Sequence, residues 1–153
     1  MSDHKKFMQK CLLLADKALQ AGNSPVGSLL VENDQVLGQG MEAGFTKKDI
    51  TYHAEIEAIR AAIKATGLKY FPNAILYTSH EPCIMCSYVI RHHRIGHIVM
   101  GLSVPEIGGA SSDFPILQTT HISTWGPPPL IEKGILKAEC ELLNQKYIAL
   151  KKK

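Results

Sequence analysis

Two short fragments of the sequence carry residue types that could perform chemistry together. They are His53-Ala54-Glu55 and the C-x-x-C segment Cys83–Cys86, which directly follows Pro82. One imidazole and two thiolates supply three ligands of a tetrahedral zinc ion and leave the fourth position open for water. Zinc lowers the pKa of a bound water towards about 7, which makes it a nucleophile at neutral pH. Glu55 lies two residues from His53 and could move that water's protons without binding the metal.

Two other interpretations of these fragments stay open. A lone C-x-x-C is also the pattern of a redox-active dithiol, although such a dithiol has no use for His53 and Glu55. A structural zinc would need a fourth protein ligand in place of water. The nearby histidines that could supply it are His80, His92, His93 and His97. The spacing favours the catalytic arrangement, with one zinc per chain because there is one set of three ligands.

The fragments can converge only if each stands at the start of a helix and the two helices are neighbours. Apolar residues at helical spacing predict a helix over 53–66 that ends at Gly67. A second helix is predicted over 83–93 and begins after Pro82. The positive end of a helix dipole favours thiolates, so the second helix start suits the cysteines.

The remaining pattern predicts an α/β chain that forms one domain over 1–153. Two further helices are predicted at 5–21 and 136–150. Four strands are predicted at 26–31, 35–40, 74–80 and 97–101. The stretches 41–52 and 102–129 show no period and are predicted as loops. Cys11 and Cys140 fall within apolar helical patterns and are interpreted as core thiols.

Composition limits the function classes. A chain of 153 residues with 45% hydrophobic residues is large enough to bury a core. No apolar run approaches the about 18 residues of a membrane span, so no membrane partner is expected. The start, MSDHKKFMQK, lacks the apolar segment of a secretory signal, which favours a cytoplasmic protein. The terminal lysines 151–153 account for the whole net charge of +3.

The sequence resembles the cytidine deaminase superfamily, in the branch with tRNA adenosine deaminases, cytosine deaminases and guanine deaminases. The resemblance rests on PVGSLLV, YHAEIEAIRAA, ILYTSHEPCIMC and GILKAECELL, and it covers nearly the whole chain. The pattern H-x-E followed by P-C-x-x-C is the signature of zinc deaminases. The resemblance implies a three-layer α/β/α fold with a five-stranded mixed sheet, and a homodimer.

The resemblance also implies roles for individual residues. It assigns zinc binding to His53, Cys83 and Cys86. Glu55 would shuttle protons. The main-chain N–H of Ala54 and the main-chain carbonyl of Glu81 would contact the base. The implied reaction replaces an exocyclic amine by oxygen and releases ammonia.

The loop before His53 departs from the tRNA enzymes. Glu42 stands where those enzymes have Asn, and Asp49-Ile50-Thr51 replaces their Asp-Pro-Thr. An ionised Glu only accepts hydrogen bonds, whereas Asn also donates them. If Glu42 lines the pocket, it favours a base that presents N–H donors; the alternative is that Glu42 faces solvent in a shifted loop.

Three further residues are candidates for contact with the base. His80 ends a predicted strand beside the cysteines, and Phe114 and Trp125 could stack on a ring. Trp125 precedes Pro127–Pro129, a rigid segment that could form a pocket wall or lid. The alternative is a core Trp that anchors a long loop.

Three functional hypotheses follow. The favoured one is a deaminase of a free nucleobase, nucleoside or related aminoheterocycle, because the loop is altered and the chain without its lysine tail is neutral. The second is a tRNA adenosine deaminase, which the terminal helix and the lysine tail support. The third is a non-catalytic zinc-binding module, against which Glu55 argues, because a structural zinc needs no proton shuttle.

Overall fold

A five-stranded mixed sheet carries helices on both of its faces. In the computed structural model, which describes residues 3–152, the strands are β1 (Gly27–Glu32), β2 (Gln35–Met41), β3 (Ile75–His80), β4 (His97–Leu102) and β5 (Leu130–Glu132). Their order across the sheet is β2-β1-β3-β4-β5. Strand β1 is antiparallel to β2 and β3, whereas β3, β4 and β5 are parallel. This confirms the predicted α/β class and the mixed sheet.

The helices are α1 (His4–Gln20), α2 (Gly44–Lys47), α3 (Ala54–Thr66), α4 (Ile84–His92) and α5 (Lys137–Lys151). Helices α1 and α5 pack on one face of the sheet, and α3 and α4 pack on the other. Among the described residues, no helix is both long and apolar enough to cross a membrane.

The single-turn helix α2, the strand β5 and a 3-10 turn at Ser123–Trp125 were not predicted from the sequence. Helix α2 is a single turn inside the segment expected to be a loop, and it has no buried residue and therefore no apolar period. Strand β5 has three residues and is defined by its pairing with β4, a contact between distant parts of the chain. None of these elements is long enough to produce a periodic signal.

Strand β1 separates two apolar layers because its side chains alternate between the faces. Leu30 joins the layer under α3 and α4, together with Ile59, Leu76, Ile90 and Ile98. Leu29 and Val31 join the layer under α1, together with Phe7, Met8, Tyr77 and Val99. Cys11 and Cys140 are buried in that second layer, which confirms that they are core thiols.

Helix α3 rests directly on the backbone of β2. A Cβ atom at Gly38 would overlap the carbonyl oxygen of Ala58, and one at Gly40 would overlap the carbonyl oxygen of Ala54. Both positions therefore need the absence of a side chain. The contact fixes the height of α3 above the sheet, and His53 is the residue that caps this helix.

Candidate active site

The starts of α3 and α4 bring the two sequence fragments together. His53 and Cys83 are the N-cap residues of these helices, and both have extended backbones. A turn just before His53 prepares its position: the amide N–H and the hydroxyl of Thr51 both donate to the Asp49 carboxylate, at 2.9 and 2.7 Å. The Asp49-Ile50-Thr51 sequence is thus a turn stabilised by a side chain, and it contains no proline.

The separations of the three donor atoms fit a zinc ion. The Nδ1 atom of His53 lies 3.5 Å from the sulfur of Cys83 and 3.4 Å from that of Cys86. Nitrogen and sulfur ligands of a tetrahedral zinc, bound at about 2.0 and 2.3 Å, are separated by about 3.5 Å. Among residues 3–152, no fourth His, Cys, Asp or Glu joins this group. The donor set therefore matches an open site, where zinc would supply an activated water.

Electrostatics favour thiolate at Cys83. A hydrogen bond with Cys86, and a further one with His53, lower the pKa of the Cys83 thiol to about 4, although partial burial opposes the change. Thiolate is the form that binds a metal. Cys83 is therefore ready for coordination at neutral pH.

Glu55 is held by a chain of hydrogen bonds that begins on β1. It is only 3% exposed, and its Oε1 accepts from the Thr78 hydroxyl at 2.6 Å. The Ser28 hydroxyl in turn donates to Thr78 Oγ1 at 2.9 Å. Burial raises the pKa of Glu55, which the bond from Thr78 partly offsets. A carboxyl group with a raised pKa and a fixed orientation is suited to transferring protons at neutral pH.

A cavity of about 220 Å³ joins His53, Glu55 and Cys83 to three of the predicted pocket residues, Glu42, His80 and Glu81. It is smaller than the roughly 300–1,000 Å³ of sites for drug-sized ligands, which suits a single heterocyclic base. Its lining residues are Ser24, Val26, Glu42, His53, Glu55, His80, Glu81, Cys83, Val104 and Ile107. The Glu42 carboxylate accepts the N–H of Gly44 at 2.9 Å, so one oxygen is engaged by its own loop.

His80 is one of the residues that line this cavity. Its Nδ1 is buried, and no described group forms a hydrogen bond with that atom. Burial lowers the pKa of His80, although a hydrogen bond with Asn144 opposes the change. The lowered pKa keeps the ring neutral at pH 7.

The Glu81 side chain has a role that the sequence analysis missed. Its carboxylate accepts the N–H groups of Val104, Ala110 and Ser111, at 2.8, 2.8 and 2.7 Å, and also the Ser111 hydroxyl. A Cβ at Gly108 would overlap this carboxylate. Glu81 therefore holds the segment 104–111, which places Val104 and Ile107 in the cavity wall. The Gly108-Gly109 pair was the one sequence signal of this close approach.

Phe114 and Trp125 are not among the described residues that line the cavity. Phe114 is exposed, and Trp125 is buried between Tyr88, at 5.4 Å between ring centroids, and the Arg91 guanidinium, 5.1 Å from its ring. This is the packing expected of a core Trp that anchors a loop.

The other histidines considered as a fourth zinc ligand lie elsewhere. His92 ends α4, and His93 follows it with its Nδ1 bonded to the Lys69 carbonyl. His97 begins β4, beside Ile75 at the start of β3, whereas Cys83 and Cys86 follow the end of β3.

This chain is similar to known deaminases in sequence and in structure. The cytidine and deoxycytidylate deaminase zinc-binding region matches residues 1–102. A tRNA-specific adenosine deaminase of Streptococcus pyogenes serotype M18 is 31% identical over 147 residues, which are 96% of this chain and 91% of that protein. A solved structure from studies of A-to-I editing by tRNA:A34 deaminases at the wobble position has a TM-score of 0.83 and 30% identity, and the match covers 90% of this chain and 98% of that one.

Guanine deaminase of Bacillus subtilis gives a TM-score of 0.63 and 33% identity over 67% of this chain and 66% of that one. With a matching family, similar relatives and a zinc-compatible donor set at the start of two helices, the chain belongs to the cytidine and deoxycytidylate deaminase family and is a zinc-binding hydrolytic deaminase.

Proposed function

We propose that this protein deaminates adenosine in tRNA. This reverses the order of preference that the sequence suggested, in which a free base or nucleoside came first. The reason for the change is that similarity to tRNA adenosine deaminases extends over 96% of the chain, whereas similarity to guanine deaminase extends over 67%. A tRNA substrate agrees with the predicted cytoplasmic location, and the homodimer stays a prediction.

The structural observation that carries the proposal is the composition of the surface formed by the loop after Glu42 and the end of α5. Phe45 is 77% exposed and follows Glu42, a cavity residue, by three positions. A groove of about 240 Å³ joins Phe45 to the end of α5, where it is lined by Tyr147, Leu150 and Lys151. Exposed aromatic rings and cations are the groups that bind single-stranded nucleic acid, through base stacking and phosphate contacts.

In this function the chain's own residues would divide the proton transfers. Hydrolytic deamination replaces the exocyclic amine of the base by a water oxygen and releases ammonia. Glu55 would accept a proton from the attacking water and deliver it to the adjacent ring nitrogen. It would then take the second proton from the newly added hydroxyl group and pass it to the amine, which leaves as ammonia. Thr78 would keep the Glu55 carboxyl in place during these transfers.

An ammonia-release panel tests the proposal directly. The substrates are a tRNA anticodon stem-loop with adenine at the wobble position, adenosine, cytidine, adenine, cytosine and guanine. We expect turnover on the stem-loop with a kcat/KM at least about a hundredfold above that on adenosine, because flanking contacts add binding energy. Turnover on a free base with none on the stem-loop would overturn the proposal.

The lysine tail offers an independent prediction. Replacing Lys151, Lys152 and Lys153 by Gln, the last of which lies outside the described residues, should weaken stem-loop binding without changing turnover of adenosine. Log K falls as log salt rises, and each lost phosphate contact makes that slope less steep by about 0.7 for a single strand. Binding titrations over a range of salt concentrations measure that slope.

The matched control replaces three lysines at the N-terminal end of α1, away from the groove. Lys5, Lys6 and Lys10 are exposed on its first half, whereas Leu19 near its end lines the groove. Replacing them by Gln makes the same change in net charge. An equal loss of slope in both variants would show that only overall charge matters and would contradict a role for the tail.

A second candidate function is supported by Glu42. This residue lines the cavity, so a substrate with N–H or amino donors, such as guanine, would meet a hydrogen-bond acceptor there. An acceptor-rich edge facing the carboxylate would leave it unpaired, at a cost of about 1–3 kcal/mol. The bond from Gly44 engages one of the carboxylate oxygens and reduces that cost.

Glu42→Asn distinguishes the two candidates. Because Asn adds a donor, we expect the ratio of kcat/KM for the stem-loop to that for guanine to rise by about tenfold or more. The panel above, repeated on the variant, gives the ratio. Glu141→Asn, at an exposed position of α5, is the control. An unchanged ratio in Glu42→Asn would mean that this side chain does not contact the base.

A further inference from the structure

A second group of metal-binding side chains lies outside the active site. It consists of His4 on α1, His97 on β4 and Glu132 on β5, whose ligand atoms all lie within 4.8 Å of one another. The Nε2 atoms of His4 and His97 are 2.8 and 2.6 Å from the same carboxylate oxygen of Glu132. Three elements that are distant in the sequence thus place two imidazoles and one carboxylate around one point.

The register of the sheet explains this convergence. His97 and Val99 point to the same face of β4, because side chains alternate along a strand. Glu132 pairs with Val99 across the parallel ladder, so it shares that face. Val99 belongs to the apolar layer beneath α1, and His4 lies in the first turn of that helix. The three side chains therefore meet where α1 covers the edge of the sheet.

The group is remote from the active site. His97 stands beside Ile75 at one end of the parallel pair β3 and β4, and Leu102 stands beside His80 at the other. Five residues of strand separate the ends, which is about 16 Å. The catalytic zinc ligands also lie on the opposite face, with α3 and α4. A change in the group should therefore leave the catalytic residues in place.

We propose that His4, His97 and Glu132 form a second zinc-binding site. Two imidazoles and a carboxylate are a ligand set that zinc accepts, with water completing the tetrahedron. Nitrogen and oxygen ligands of zinc are separated by about 3.3 Å. The observed separations of 2.6 and 2.8 Å require the side chains to move apart by about 0.5 to 0.7 Å, a small rotation about their side-chain bonds.

Two features of the surroundings support metal binding. The Tyr77 hydroxyl lies 2.9 Å from His4 Nδ1, and a hydrogen bond to the far nitrogen is what orients a ligating imidazole. The site is also open to ions, since the Glu132 side chain is 40% exposed. A polar cavity of about 400 Å³, lined in part by His4, His97 and Asp34, adjoins it.

The site differs from the active site in strength and consequence. It has no thiolate, so its zinc should dissociate before the catalytic zinc does. Binding would join the first turn of α1 to both β4 and β5. Any ligand that binds only the folded state stabilises that state, so the added zinc should raise the melting temperature.

Equilibrium dialysis against a series of zinc concentrations tests the proposal. The protein carries its catalytic zinc and no affinity tag, and bound zinc is measured by mass spectrometry. We expect a second equivalent in the wild type and a rise in melting temperature of about 5–10 °C when free zinc is a hundredfold above its Kd. His97→Gln and Glu132→Gln should keep one equivalent and show no rise. His121→Gln, which changes an exposed histidine outside the group, should behave like the wild type.

Each outcome decides the question. Because neither variant touches the catalytic residues, retained deaminase activity shows that it is folded. One equivalent in the wild type at every zinc concentration would overturn the proposal. So would a second equivalent that persists in both variants, because the zinc would then be bound elsewhere. If one variant fails to fold, the other and the wild-type titration still give the answer.

Discussion

Glu55→Gln is expected to keep its zinc and its fold while kcat falls by at least about a hundredfold. The amide cannot exchange protons with water and base, and general acid–base catalysis contributes about 10²–10⁴ in rate. Its oxygen can still accept the Thr78 hydroxyl, so the surrounding hydrogen bonds should persist. Turnover of the substrate identified by the panel and zinc content are measured on the same preparation.

Glu57→Gln is the matched control for this variant. Glu57 lies two residues further along α3, near the surface, where it pairs with Arg60. The same chemical change there should leave kcat within about twofold of the wild type, since surface ion pairs contribute little. If Glu55→Gln loses its zinc along with its activity, or loses less than about a hundredfold in kcat, Glu55 is not the proton shuttle.

The residues around Glu55 show what a sequence can predict. The types and spacing of His53, Cys83 and Cys86, with two helix starts, were enough to predict a zinc site, because ligand chemistry and helix capping are local properties. The bond from Thr78 to Glu55 was not predictable, since it depends on where α3 packs over β3. The bond from Ser28 to Thr78 depends on the register between β1 and β3. Contacts of this kind are set by the packing of distant segments.

Glu81→Gln is expected to have the second largest effect. The amide nitrogen would face main-chain N–H groups that now donate to a carboxylate, and hydrogen bonds to charged groups contribute about 1.5–3 kcal/mol each. The segment 104–111 should loosen, and Val104 and Ile107 should no longer hold the cavity wall. We expect KM to rise at least about tenfold and protease cleavage in this segment to accelerate.

The control for Glu81→Gln is Glu106→Gln. Glu106 lies exposed in the same segment. Equal protease resistance and equal KM in Glu81→Gln and the wild type would show that Glu81 does not position the segment.

The Glu81 contacts also predict a pH dependence. Although burial opposes it, the hydrogen bonds from Ser111, Val104 and Ala110 lower the pKa of Glu81. A carboxyl whose pKa is lower in the folded state stabilises it fully above its unfolded pKa of about 4.3 and loses that contribution as the pH falls through the folded pKa. When the pH falls from 5 to below the folded pKa of Glu81, the free energy of unfolding should therefore decrease more in the wild type than in Glu81→Gln. Denaturant titration at each pH measures this difference.

The positions of Trp125 and His97 could not be predicted from the sequence, because they depend on the fold. The sequence offered two positions for Trp125, and only the fold shows its contact with Arg91, a buried residue that also donates to the carbonyls of Ile116 and Thr119. His97 is close to the cysteines in sequence, yet the parallel direction of β3 and β4 carries it to the far end of the sheet. Proximity along the chain is a poor guide once a strand intervenes.

The contact of α3 with Gly38 and Gly40 has a consequence for how this protein can change. Where side chains separate a helix from a sheet, substitutions alter the thickness of the layer and the helix drifts. Over β2 the nearest contacts are with peptide groups of α3, which have one thickness in every sequence. Core residues elsewhere can therefore vary in size while His53 and Glu55 keep their height above the sheet. Gly38 and Gly40 therefore allow the hydrophobic core to accept substitutions without moving the catalytic residues at the start of α3.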